Sequence, residues 1–355
     1  MNKKTILTAI IYIISVPSLF AQDSTKGSTK PFVISGFVDM YYRTDFGQNA
    51  ANNRTSFTNS HNVFELGMAS LKLEHSIGKV GFVADLGLGK RAQEFSYNDA
   101  GIAQAIKQLY VTYAATDWLK FTAGSWGTHV GSEVVDPIVN RNYSMSYMFS
   151  WGPFLHTGVK AEIANGKSGF MLGLANKTDY KSVPGENQKY LIAQYSYAPT
   201  DDVKIYLNYV GGKRISDSAK SRQFDVVITG KISNKFNIAY NGTINNTFTQ
   251  AKNKYATSAL TWWGSALYLN FDPSDKLGIT LRTEYFSDKK QLVAMSLAPY
   301  GATILANTLS FNLKVGPLTF IPEIRLESAS KNVFVTKTGT SKGTGSALVA
   351  AIYKF

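Results

Sequence analysis

The side chains in this sequence that could carry covalent or metal chemistry are few and poorly spaced for it. Its four histidines, His61, His75, His129 and His156, stand singly. None belongs to a metal-binding HExxH or to a close pairing of His with Ser. Gly87-Leu88-Gly89 sits within a strand-like run with no helix pattern after it, so it is not a nucleotide loop. There is no cysteine, which removes disulfides, thiolate metal sites and lipid attachment through sulfur. The reading is that the chain is not an enzyme and uses no cofactor. What remains is the chemistry of fixed charge: 37 Lys and Arg against 24 Asp and Glu.

These charges are sorted by position. From Phe32 onward, sixteen runs alternate apolar and polar residues with the period of a two-faced strand: 32–42, 63–75, 80–89, 106–114, 119–126, 155–164, 168–175, 189–197, 203–210, 223–232, 236–243, 256–271, 277–286, 303–315, 318–327 and 346–355. One register is apolar, as in Leu155, Val159 and Ile163, or Leu318, Phe320, Ile324 and Leu326. The other collects Asp39, Arg43, Lys120, His156, Lys160, Glu162, Lys204, Lys231, Arg282, Glu284 and Arg325. A Lys or Arg at the bilayer midplane costs about 2–4 kcal/mol on the lipid face of a barrel. The uncharged register is therefore expected to face lipid and the charged one to line an aqueous lumen. The runs 63–75 and 256–271 change register midway, a sign of bulges.

Connections alternate strictly between short, such as Asn165-Gly166-Lys167, and long. This is the pattern of an all-β, transmembrane, antiparallel up-and-down β-barrel of about sixteen strands, with short periplasmic turns and long outer loops. Aromatic residues near run ends, among them Tyr41, Tyr42, Trp118, Tyr195, Tyr197, Trp262, Trp263, Phe271, Tyr285 and Tyr353, are expected to form the interfacial girdles.

Targeting agrees with this class. Lys3 and Lys4 precede an apolar run from Ile6 to Phe20, so residues 1–21 are expected to be a cleaved signal peptide. A mobile periplasmic segment, 22–31, then leads into one barrel, 32–355. The expected location is the outer membrane, with Phe355 ending an aromatic strand of the kind presented to the barrel assembly machinery.

The longest interruption, 127–154, is expected to be the third outer loop. It is aromatic and has apolar surface to bury, so the expectation is that it folds into the lumen. Glu133, Asp136 and Arg141 would then face the basic wall, while Tyr143, Tyr147 and Phe149 pack the loop in place as a pore constriction. The last four outer loops, 211–222, 244–255, 287–302 and 328–345, hold +9 of the excess of 11 positive charges that follows residue 21. They are candidates for contact with lipopolysaccharide, and a nucleic-acid partner is implausible at a cell surface.

A family resemblance is carried by Gly36-Phe37-Val38-Asp39 with Tyr41-Tyr42, Gln108 with Tyr110-Val111, Gly124, Gly131-Ser132-Glu133-Val134, Asn140 with Asn142-Tyr143-Ser144, and Pro153-Phe154 with His156-Thr157-Gly158. On these residues the chain resembles the OmpL-like β-barrel porins of Gram-negative, Bacteroidetes-type outer membranes. Met145 departs from the pattern, which leads one to expect a basic residue there. The resemblance implies a porin passing small hydrophilic solutes or ions by diffusion, and general porins imply a homotrimer. The competing reading is a non-conducting surface barrel, an adhesin or structural protein acting through its basic loops.

Overall fold

The computed structural model describes residues 31–183, 187–213, 219–251, 254–256 and 258–355. The expected signal peptide and residues 22–30 lie outside the described residues. The barrel strands are β1 (Val33–Asp45), β2 (Val63–Ile77), β3 (Val80–Leu88), β4 (Ile106–Ala114), β5 (Leu119–Gly127) and β6 (Leu155–Asn165). They continue as β7 (Ser168–Ala175), β8 (Tyr190–Tyr197), β9 (Val203–Lys213), β10 (Lys220–Lys231) and β11 (Phe236–Phe248). The last five are β12 (Leu260–Ser274), β13 (Leu277–Asp288), β14 (Ala302–Val315), β15 (Leu318–Ala329) and β16 (Gly343–Lys354).

Each strand pairs with its neighbours in chain order, and β16 returns antiparallel to β1, closing a sixteen-stranded barrel. Closure leaves no edge unpaired, the condition a sheet must meet where water cannot satisfy its backbone. The end of the chain seals the seam, with Phe355 N donating to Gly36 O at 3.0 Å and Gly36 N to Phe355 O at 3.2 Å. Helix is confined to connections, chiefly α1 (Lys90–Phe95) and α2 (Tyr147–Trp151).

The outward register carries an exposed apolar belt that includes Leu66, Leu109, Val159, Leu172, Leu207, Ile228, Leu267, Leu305, Ile324 and Val349. Three residues expected on that surface are not there. Tyr41 and Trp262 point inward and are buried, because each lies on the parity of its strand that faces the interior. Leu155 is buried under Phe149 and Phe154 where the long loop enters β6.

Bulges account for the register changes. Val38 pairs with Ala69 but Met40 pairs with Leu66, so Gly67 and Met68 oppose Asp39 alone. Outward residues of β2 accordingly switch from Phe64 and Leu66 to Ala69 and Leu71. On β4 the pairing skips Lys107, which turns inward and is fully buried. β12 shows no such break mid-strand; its register shifts only at the short-turn end, between Phe271 and Ser274.

One connection is much shorter than expected. The expected loop 211–222 is strand at both ends, since Arg222 pairs with Gly211 and Lys220 with Lys213. β9 and β10 therefore continue beyond Val210, and only 214–219 connects them.

Gly124 in β5 has φ 132°, and a Cβ there would press into the β4 backbone at Leu109 and Tyr110. Gly124→Ala is expected to destabilise the barrel by about 1–3 kcal/mol, read as a lower urea midpoint in lipid vesicles. An unchanged midpoint would mean that the β4–β5 pair does not need the glycine.

Candidate functional site

Inside the barrel, loop 128–154 meets inward side chains on many strands, among them Asp39 of β1, Lys107 of β4, Gln194 of β8, Asp225 of β10, Arg282 of β13 and Glu323 of β15. Its centre, residues 143–148, is held by its own backbone. Glu323 of β15 accepts from Tyr143 N at 2.9 Å and Ser144 N at 3.3 Å. Glu284 of β13 accepts from Tyr147 N at 2.9 Å and Met148 N at 3.0 Å. Glu133, within the loop, accepts from Ser146 N at 2.8 Å. The carbonyls are taken by arginines: Arg282 donates to Ser144 O at 2.8 Å and Arg325 to Met145 O at 2.7 Å.

The same ions also balance one another. Arg282 meets Glu133 at 2.6 Å, and Arg325 meets Glu327 at 3.0 Å. Charge-assisted hydrogen bonds to a fixed backbone are what let so many buried ions share one region. Local sequence helps, since Ser146 caps α2 through Phe149 N at 3.1 Å and Glu284 faces the first amides of that turn.

Two aromatic residues pin the ends of this segment. Tyr147 donates to Glu327 at 2.8 Å and lies under the Arg325 guanidinium, 5.2 Å from its ring centroid. Tyr143 donates to Asp39, which also accepts from Met68 N at 2.9 Å across the β2 bulge. A Cβ on Gly67 would collide with both the Asp39 carboxylate and the Tyr143 hydroxyl. Burial raises both phenol pKa values, so each hydroxyl keeps its proton and donates.

The expected loop charges are placed as follows. Glu133 meets Arg282, and Asp136 meets Lys107 at 2.5 Å, which also touches Asp85 at 3.1 Å. Arg141 does not face a basic wall. It makes a two-pronged bond to Asp272, at 2.6 and 3.0 Å, because a guanidinium turned toward Arg282 or Arg325 would add repulsion to its desolvation. Phe149 packs with Phe57 and Phe154.

The wall residues fall into four groups. Asp39, Arg282, Glu284 and Arg325 hold the loop as described. Arg43 and His156 are also buried; Arg43 donates to Ser60 O at 2.7 Å, and His156 bonds Thr128 at 3.1 Å. Lys120 and Lys160 pair with Glu162 at 2.9 and 3.3 Å. Lys204 and Lys231 line a cavity of about 630 Å³ between the loop and the short-turn end, together with Lys314, Asn237, Asn270 and Tyr206.

Sequence and fold comparisons bear on this geometry. Residues 31–355 match the family model described as "Putative beta-barrel porin-2, OmpL-like". The chain belongs to this family. No curated protein matches it. Among solved structures, it is similar to the outer membrane channel DcaP of Acinetobacter baumannii, with TM-score 0.62 and 13% identity over 91% of this chain and 97% of that one. It is also similar to an anion-selective porin from Comamonas acidovorans, with TM-score 0.59 and 10% identity over 92% and 99%. OmpT of Vibrio cholerae gives 0.57 and 10% over 94% and 99%. At these identities the likeness is one of fold.

Several residues of this porin-family chain that hold the loop had no signal in the sequence. Arg91, in α1, is fully buried between the rings of Tyr143 and Phe57, 4.7 and 5.0 Å from their centroids. Its Nη2 donates to Tyr143 O at 3.4 Å, and its Nη1 lies 3.8 Å from Met145 Sδ, beside the position where a basic residue was expected. Lys107 is reached only through its bulge. In 176–189, Asp179 accepts from Phe154 N at 2.6 Å, Leu155 N at 3.1 Å and Tyr97 Oη at 3.1 Å. Burial pushes its carboxyl up to about 6 in spite of these donors, while burial pushes the His129 imidazole down to about 4 and leaves it neutral.

Two outcomes test the clamp. Glu284→Ala leaves two buried amides unpaired at about 1–3 kcal/mol each, so chymotrypsin is expected to cut the folded protein near Tyr147–Trp151, with Glu284→Gln intermediate; continued resistance in the alanine variant would remove Glu284 from the clamp. Asp179 has a folded pKa above the unfolded value of about 3.9. Its stabilising contribution is therefore complete below about pH 4 and lost as pH rises through about 6. Amide exchange at Phe154 and Leu155, corrected for intrinsic rate, should quicken over that window and become flat in Asp179→Asn.

Proposed function

We propose that this chain is an outer-membrane porin through which small hydrophilic solutes and ions diffuse, and that loop 128–154 constricts the passage. The observation that carries this reading is the polar cavity beneath the loop. It is lined by amides, hydroxyls, lysines and aspartates and framed above by Ser132, Glu133, Asn140, Arg141 and Asn142. A structural barrel has no need of a hydrophilic space of that size next to a clamped loop, whereas a diffusion channel needs both a wet wall and a narrow point. The apolar belt supports a lipid surround, and family membership supports the channel reading.

Charge around the cavity supports a mild preference by sign. Arg141 is spent on Asp272, and Glu133 on Arg282. Lys204, Lys231 and Lys314 remain on the wall without an ion pair among the described residues, against Asp201, Asp202 and Asp275 in the exposed turns. The lysines belong to the strands that form the wall and the carboxylates to the turns at its end, so the field inside favours anions weakly. By contrast, the lysines of β2, β5 and β6 are each matched by Glu74 or Glu162.

Deletion of Ser132–Ser150 should raise single-channel conductance in planar bilayers, and an unchanged value would reject the constriction. Vesicles carrying the intact protein should swell in sugar solutions; no solute entry would leave the closed surface barrel as the better reading. Lys204→Glu with Lys231→Glu is expected to move the reversal potential in a salt gradient toward cation preference, and no movement would place the lysines off the conduction path.

A further inference from the structure

Among the described strand residues, Lys213, Lys220 and Arg222 are the charged side chains on the outward register of the barrel. All other strand charges face inward. Lys213 and Lys220 are direct cross-strand partners on β9 and β10, a like-charge pairing that by itself destabilises a sheet. Neither they nor Arg222 has an ion pair among the described residues. Instead Lys220 Nζ lies 4.0 Å from the Tyr255 ring centroid, and the Arg222 guanidinium lies 5.5 Å from that of Phe248. Aromatic faces hold these cations in place without neutralising them.

Their height on the barrel is defined by register. Phe224 pairs with Tyr209 and Ile244, and Ile244 pairs with Trp263, forming one outward rung of apolar and aromatic side chains. The next outward rung toward the long loops holds Arg222 beside Gly211 and Asn246, and the one after it holds Lys213 beside Lys220. Two residues along a strand rise about 7 Å, close to the roughly 5–7 Å of headgroup on each side of a bilayer core. Arg222 therefore stands one step beyond the aromatic rung, at headgroup level, with the lysine pair just above it.

We infer that this outward rim of β9 and β10 is a binding site for the phosphate groups of an anionic glycolipid in the leaflet that surrounds the long-loop end. Three cations above an aromatic rung match a ligand whose acyl chains lie along Leu207, Phe224 and Ile228 while its phosphates sit at the interface. A bound phosphate also removes the Lys213–Lys220 repulsion, which nothing in the described protein relieves. The inference rests on the lipid-facing reading of the belt and is independent of whether the lumen conducts.

The test uses the full-length mature protein in phosphatidylcholine vesicles containing bis-phosphorylated lipid A, followed by detergent extraction and native mass spectrometry. Wild type should retain lipid A, and Lys213→Gln/Lys220→Gln/Arg222→Gln should retain it at least about tenfold less. Lys213→Arg/Lys220→Arg should bind like wild type, and added salt should weaken binding. Heat-modified gel mobility identifies folded samples, and the conductance of the triple variant should stay that of wild type. Equal retention by the folded triple variant, or equal binding of dephosphorylated lipid A, would overturn the site while leaving the porin reading intact. Release of lipid A by millimolar inorganic phosphate alone would also overturn it, by assigning the cations to a free anion.

Discussion

A barrel of sixteen strands encloses more space than its own side chains can fill, and this chain places buried ions on the inner wall. An uncompensated charge in such a place costs several kcal/mol. The structure meets that constraint with backbone: residues 143–148 present amides and carbonyls to Glu323, Glu284, Arg282 and Arg325, and the loop brings Glu133 as a further acid. Wall and loop therefore depend on each other. Without the loop the wall ions lose the backbone groups that balance them, and without the wall the loop has six unsatisfied peptide units.

Other features follow from this dependence. The β2 bulge aims Asp39 and Met68 N at the Tyr143 end, and Gly67 leaves the space for them. The β4 bulge delivers Lys107 to Asp136 and Asp85. Arg91 arrives from a neighbouring connection to cover Tyr143. Each device adds a charge-assisted or aromatic contact on one side of the lumen. The loop is held there, and the polar cavity remains toward β9–β12 and the short turns.

The inner and outer surfaces use cations differently. Inside, most are matched by carboxylates within 3.4 Å, with Lys204, Lys231 and Lys314 as exceptions around the cavity. Outside, the cations of the described strands sit at one rim above an apolar rung, two of them against aromatic rings. The basic excess of the chain is thus not one property but several, divided by the period-two geometry of the strands.

The sequence alone determined the class and the sheet. Sixteen alternating runs, the side that carries charge and the short-long order of connections were legible because strand periodicity is local and closure is its only edge-free solution. Boundaries at Gly211-Gly212 and the inward turn of Tyr41 and Trp262 were not, since pairing with a neighbour, not local propensity, decides where a strand stops and which face a residue takes. Glu133, Asp136, Arg141, Tyr143 and Tyr147 could be singled out as loop chemistry, but their partners could not. Arg141 with Asp272, Arg91 with Tyr143, and Glu284 and Glu323 with 143–148 are joined across 52 to 180 residues. Only closing the barrel brings them within hydrogen-bonding distance, because those contacts are set by register and bulges around the whole circumference.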